Sequence, residues 1–164
     1  MKKLSALVAL SLCAAPVAYA QDGSSCANAI PMVAPSTVNV DTSTATGWIN
    51  SFGPLLSPSN DIIYTFTSGA TAPDGTITPT ASDYAFAIYA LSSCSAGAGP
   101  VPIASTGTLN QPINLAAANP PTVAGHQYFI AVTGSTAGGA GANGTVTLAV
   151  QPNLPVTLQS FEVN

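Results

Sequence analysis

The 164-residue chain predicts an all-β protein, an antiparallel β-sandwich that follows a cleaved N-terminal signal peptide. Three observations carry this. Helical periodicity is nearly absent after residue 30, and the large apolar residues are gathered into short runs with a period of two. The segments between these runs are rich in Gly, Pro, Ser and Asn, which supply turn chemistry and keep Pro out of strand interiors.

In chain order, residues 1–20 read as the signal peptide. Lys2 and Lys3 form a basic start, Leu4 to Ala15 is an apolar run too short to span a bilayer, and Ala18-Tyr19-Ala20 is a small-x-small cleavage site. Residues 21–150 form the sandwich domain. Its first strand signal is Thr37 to Val40, where Val38 and Val40 alternate with polar residues. Asp61 to Thr67 places Ile62, Tyr64 and Phe66 on one face and Thr65 and Thr67 on the other. In Tyr84 to Leu91, Tyr84, Phe86 and Ile88 share a face opposite Tyr89 and Leu91. Tyr128 to Thr133 and Thr145 to Val150 repeat the pattern. Asn143-Gly144 suits a tight hairpin turn, which makes these last two runs adjacent strands. Residues 151–164 form a Pro-bounded connector and a C-terminal strand.

Charge narrows the function. Both cations of the chain lie in the signal, so the sequence from Gln21 onward has no Lys or Arg and keeps all six acids. Nucleic-acid binding then lacks its main energetic term, and attraction to an anionic membrane surface is lost with it. No second long apolar segment follows the signal, so no membrane insertion is expected after cleavage. Export through a Sec-type signal gives a secreted protein. In that oxidising setting the two remaining cysteines, Cys26 and Cys94, most simply form one disulfide.

Five segments then occur in a characteristic order: Cys26-Ala27-Asn28-Ala29-Ile30, Asp61 to Thr67, Phe86-Ala87-Ile88-Tyr89 running to Cys94, Ala124-Gly125-His126-Gln127-Tyr128 to Val132, and Gly144 to Leu148. This order resembles bacterial pre-peptidase C-terminal (PPC-like) domains, over roughly residues 24 to 150. The resemblance implies a jelly-roll or CUB-like sandwich on an exported protein. Such domains usually accompany a peptidase, and no catalytic domain is attached in this sequence.

Candidate sites are few. His126 is the only histidine, no Gly-x-Ser-x-Gly elbow is present, and Ala-Gly-His-Gln reads as an exposed turn entering a strand, so no catalytic residue is expected. The acids are scattered singly, Asp74-Gly75 reads as a turn, and two thiols with one distant His do not make a zinc site, so neither a metal nor a cofactor is expected. Trp48, with Tyr64, Tyr84, Tyr89 and Tyr128, would suit a sugar-binding platform, although Tyr and Trp also fill sandwich cores. Near the C-terminus, Val156 and Leu158 occupy even positions while Phe161 and Val163 occupy odd ones. That segment either completes its own sandwich or adds to a neighbouring subunit as an assembly strand.

The expected function is therefore that of a non-catalytic protein acting by contact, a structural or adhesive extracellular component such as a filament or matrix subunit. Its partner is a further copy of itself or an extracellular glycan. The rival class is a carbohydrate-binding or substrate-targeting module of the bacterial exterior.

Overall fold

The computed structural model describes residues 22–45, 49–52, 55–56, 60–95, 97–99, 101–134 and 143–151. Strand signals and structure agree closely where alternation is clean. Three of these runs form β5 (Asp61–Thr67), β7 (Phe86–Leu91) and β11 (Gln127–Gly134), hydrogen-bonded side by side. They form the centre of a five-stranded sheet with order β1-β5-β11-β7-β9, whose edges are the two-residue strands β1 (Ile30–Pro31) and β9 (Ala104–Ser105). The opposing sheet has order β10-β6-β12-β2. It consists of β10 (Ile113–Asn114), β6 (Thr76–Ser82), β12 (Thr145–Val150) and β2 (Ser36–Asp41). A smaller sheet joins β3 (Ile49–Phe52) to β4 (Leu55–Leu56) and β8 (Gly97–Gly99).

Within the two large sheets, every pairing except that of β1 is antiparallel. Leaving β1 aside, the chain visits β2, β5, β6, β7, β9, β10, β11 and β12 in turn, crossing between sheets at nearly every step. This is a jelly-roll sandwich, in which Greek-key crossings place first and last strands side by side. Accordingly, β2 pairs with β12 from Ser36↔Val150 to Asp41↔Thr145.

The hairpin expected at Asn143-Gly144 does not form. β11 and β12 are not hairpin neighbours; they lie in different sheets. Both sides of β11 are occupied by β5 and β7, and both sides of β12 by β2 and β6, so neither has an edge left for the other. Gly144 instead enters β12 across the sandwich, accepting from Thr42 N–H at 2.9 Å and donating to Thr42 Oγ1 at 3.1 Å.

Even-numbered residues of β2, β5, β7, β11 and β12 meet between the sheets. Val40, Tyr64, Phe66, Phe86, Ile88, Ile130, Val132, Val146 and Leu148 form this core with Ile77 of β6. The outer face of the five-stranded sheet is buried as well, which is why β7 is buried at every position. There Ile63, Ala87, Tyr89, Leu91 and Ala131 pack with Ala29, Cys26 and Cys94. The N-terminal segment therefore acts as a strap over that face. Its start runs along the β5 edge of the sheet: a Cβ on Gly23 would stand 2.8 Å from Ile62 Cγ2, and the Gly23 carbonyl accepts from Ile63 N–H at 2.8 Å. Cys26 and Cys94 are joined as a disulfide with Cα atoms 5.7 Å apart, fastening the strap to the segment after β7.

Candidate functional site: the open edge of the four-stranded sheet

β2 is a six-residue strand, and among the described residues only β12 pairs with it. The other edge of the same sheet, β10, is two residues long. Antiparallel ladders alternate, so every second residue turns its N–H and C=O toward a given neighbour. The bond from Thr42 N–H to Gly144 carbonyl fixes the phase: even residues of β2 bond to β12. Thr37, Asn39 and Asp41 then direct their backbone groups away from the sheet. Their side chains are exposed on its outer face, whereas Val40 is buried and Val38 half-buried on the inner face.

Local side-chain bonds steady this strand. Asn39 Oδ1 accepts from Thr147 Oγ1 at 3.0 Å, and Asp41 Oδ1 accepts from Ser43 N–H at 2.9 Å. The Ser43 hydroxyl and N–H hold the Asp41 carboxyl below the usual carboxylate range, so the far end of the edge carries a negative charge. No cation lies on the strand. Natural edges are commonly blunted by Lys, by Pro or by bulges, and Ser-Thr-Val-Asn-Val-Asp contains none of these.

The structure places the sequence-derived candidates as follows. Tyr64, Tyr84, Tyr89 and Tyr128 are all buried in the two cores and form no exposed platform. Trp48 lies outside the described residues, as do residues 1–20 and the C-terminal Val156, Leu158, Phe161 and Val163. His126 is exposed at the turn before β11, with Nε2 at 2.9 Å from the Ser92 carbonyl and its ring 4.9 Å from that of Tyr128. Among the described residues no three His, Cys, Asp or Glu side chains converge on a point where a metal ion would be held. Two open depressions lie among the described residues. One of about 280 Å³ lies between Ser82-Asp83 and the start of β12, and another of about 330 Å³ runs between Tyr89 and the Ser105 to Leu109 loop.

Among the described residues no helix is long and apolar enough to cross a membrane. The closed disulfide suits an oxidising compartment. No family model, curated protein or solved structure matches the chain. The resemblance to PPC-like domains thus rests on the order of the five sequence segments.

Proposed function

We propose that this is a secreted, non-catalytic structural or adhesive component of the bacterial exterior, which acts by contact and self-associates through its sheet edge. The observation supporting this reading is the full-length edge of β2, which among the described residues only β12 pairs, in a chain that has no Lys or Arg after residue 3 to repel a second strand. Strand addition gains affinity from main-chain hydrogen bonds and requires no side-chain chemistry. That fits a molecule whose acids are scattered and whose histidine occupies a turn.

The test is electron microscopy and sedimentation of the exported protein from culture supernatant. Ordered polymers or defined oligomers support the reading, and a strictly monomeric species at high concentration overturns it. A glycan array run in parallel addresses the rival class: glycan binding that disappears in Trp48→Ala, with no self-association, would make the protein a carbohydrate-binding module.

A further inference from the structure

Resting on that reading, we infer that the occupant of the β2 edge is β2 of a second copy, paired antiparallel about a two-fold axis at Asn39. The register decides this. Pairing across the new junction must use the residues whose backbone groups face outward, which are Thr37, Asn39 and Asp41. This set maps onto itself about one centre only. With the axis at Asn39, Asn39 meets the partner's Asn39, Thr37 meets the partner's Asp41, and each pair exchanges two N–H···O bonds.

Shifted registers lose these bonds for identifiable reasons. Moving the axis toward Thr37 brings Asn39 or Asp41 opposite the partner's Pro35, which has no N–H to donate. Moving it toward Asp41 brings in the partner's Ser43, whose N–H is already held by its own Asp41 carboxylate. With the axis on Asp41 itself, two charged carboxylates would face each other. The Asn39-centred register instead places each Asp41 beside a Thr37 hydroxyl, a donor for that carboxylate.

Side chains on the inner face agree with this register. Val38 lies opposite the partner's Val40, so the half-buried Val38 gains an apolar neighbour and the two cores become continuous. Each four-stranded sheet is then extended by its copy into one sheet across both subunits. Among the described residues, the other edges of the two large sheets are the two-residue strands β1, β9 and β10 and the stretch of β6 beyond β10, where Pro79 has no N–H to donate. A contact of this kind is isologous and closes on itself, so it produces a dimer. Any longer polymer would use the dimer as its unit.

Cysteine cross-linking of the exported full chain tests the register. A hydrogen-bonded antiparallel pair places Cα atoms about 5.5 Å apart, within disulfide range. Asn39→Cys should therefore yield a disulfide-linked dimer under mild oxidation. Thr37→Cys alone should not, whereas Thr37→Cys combined with Asp41→Cys should. Asn39→Pro should raise the dimer dissociation constant at least roughly tenfold, because it removes an outward N–H. It should leave the circular dichroism unchanged, because the ladder to β12 uses the even residues.

If Asn39→Cys cross-links no faster than Thr37→Cys while the parent protein still oligomerises, the inference is overturned and self-association stands. If the parent protein is monomeric, both fall. If truncation after Gln151 alone abolishes the oligomer, the edge belongs to a neighbour's C-terminal strand, and the β2–β2 pairing is wrong.

Discussion

Asp83 binds Thr145 through both of its ends: its carboxylate accepts from Thr145 N–H at 2.7 Å and from Thr145 Oγ1 at 2.9 Å, while its own N–H donates to the Thr145 carbonyl at 3.2 Å. The link between β6 and β7 is thereby pinned to the first residue of β12, so it sets where β12 begins on the sheet. Asp83→Ala deletes the two carboxylate bonds. The site is solvent-exposed, so the expected loss is about 1 kcal/mol. Thermal unfolding should fall by a few degrees with the disulfide intact, and an unchanged midpoint would refute the clamp.

Gly144 stands directly above this clamp. A Cβ there would collide with the Asp83 carboxylate and come within 2.9 Å of Tyr84 Cδ1, in a position fixed by its bonds to Thr42. Gly144→Ala should cost roughly 1–3 kcal/mol, the range for overpacking. Gly107, whose Cβ would meet nothing within 4 Å, is the control, and Gly107→Ala should stay within about 0.5 kcal/mol of the parent by urea titration.

The Cys26–Cys94 bond closes a span of 68 residues and holds the strap over Ile63, Leu91 and Ala131. Replacing both cysteines by serine should lower stability by about 2–5 kcal/mol, with the chain-entropy account assigning about 4. The strapped face should also open first. Hydrogen exchange at Gly23 to Ile30 should accelerate more than exchange in β12, and equal acceleration everywhere would argue against a separate strap.

Legibility from sequence followed burial. β5, β11 and β12 were readable because large apolar side chains alternate with smaller or polar ones. In β7 both faces carry apolar residues, and both proved to be buried. By contrast β6, Thr-Ile-Thr-Pro-Thr-Ala-Ser, carries one large core residue, Ile77, and a Pro that argues against a central strand. Pro79 is accommodated because β10 pairs only with Thr76 and Ile77, and because the β6–β12 register shifts between Thr147 and Leu148. The partition of strands between sheets was not readable from neighbouring segments. It is set by long-range crossings such as β2 beside β12, so the local Asn-Gly signal pointed to a hairpin that does not form. The open edge of β2 was half legible. Absence of cations marked the chain as permissive, but only the ladder phase shows which residues of β2 face outward.

Alkaline pH should unfold the protein through its tyrosines. Burial pushes the Tyr64 phenol up from 10.0 to about 12, helped by the neighbouring Tyr84. Burial likewise raises Tyr84, with Thr42 offsetting part of the effect, and raises Tyr89. These phenols are more easily ionised in the unfolded chain, so the unfolded state binds fewer protons above pH 10 and stability falls as pH rises. The contribution is intact below about pH 10 and is lost on approaching about 12. No Lys follows residue 3, so the described part of the chain has no Lys that titrates in this window. Phenolate absorbance should therefore appear together with loss of β-sheet circular dichroism. Free titration near the ordinary value with the fold intact would contradict the burial.

Truncation after Gln151 separates folding from assembly. The jelly roll closes within residues 36–150, because β12 ends at Val150 and the Gln151 N–H donates to the Thr76 carbonyl at 3.0 Å. Among the described residues, both large sheets and both cores are built from residues before this point. The shortened protein should thus fold, form the Cys26–Cys94 bond and unfold cooperatively within about 1 kcal/mol of the full chain. A larger loss, several kcal/mol with exposed apolar surface, would mean that Val156, Leu158, Phe161 and Val163 close their own sandwich. Retained stability with unchanged sedimentation is the result expected from β2–β2 pairing, since Thr37, Asn39 and Asp41 are untouched by the deletion. Retained stability with oligomers lost would assign the C-terminal strand to a neighbouring subunit, where it would occupy the edge that β2 leaves open.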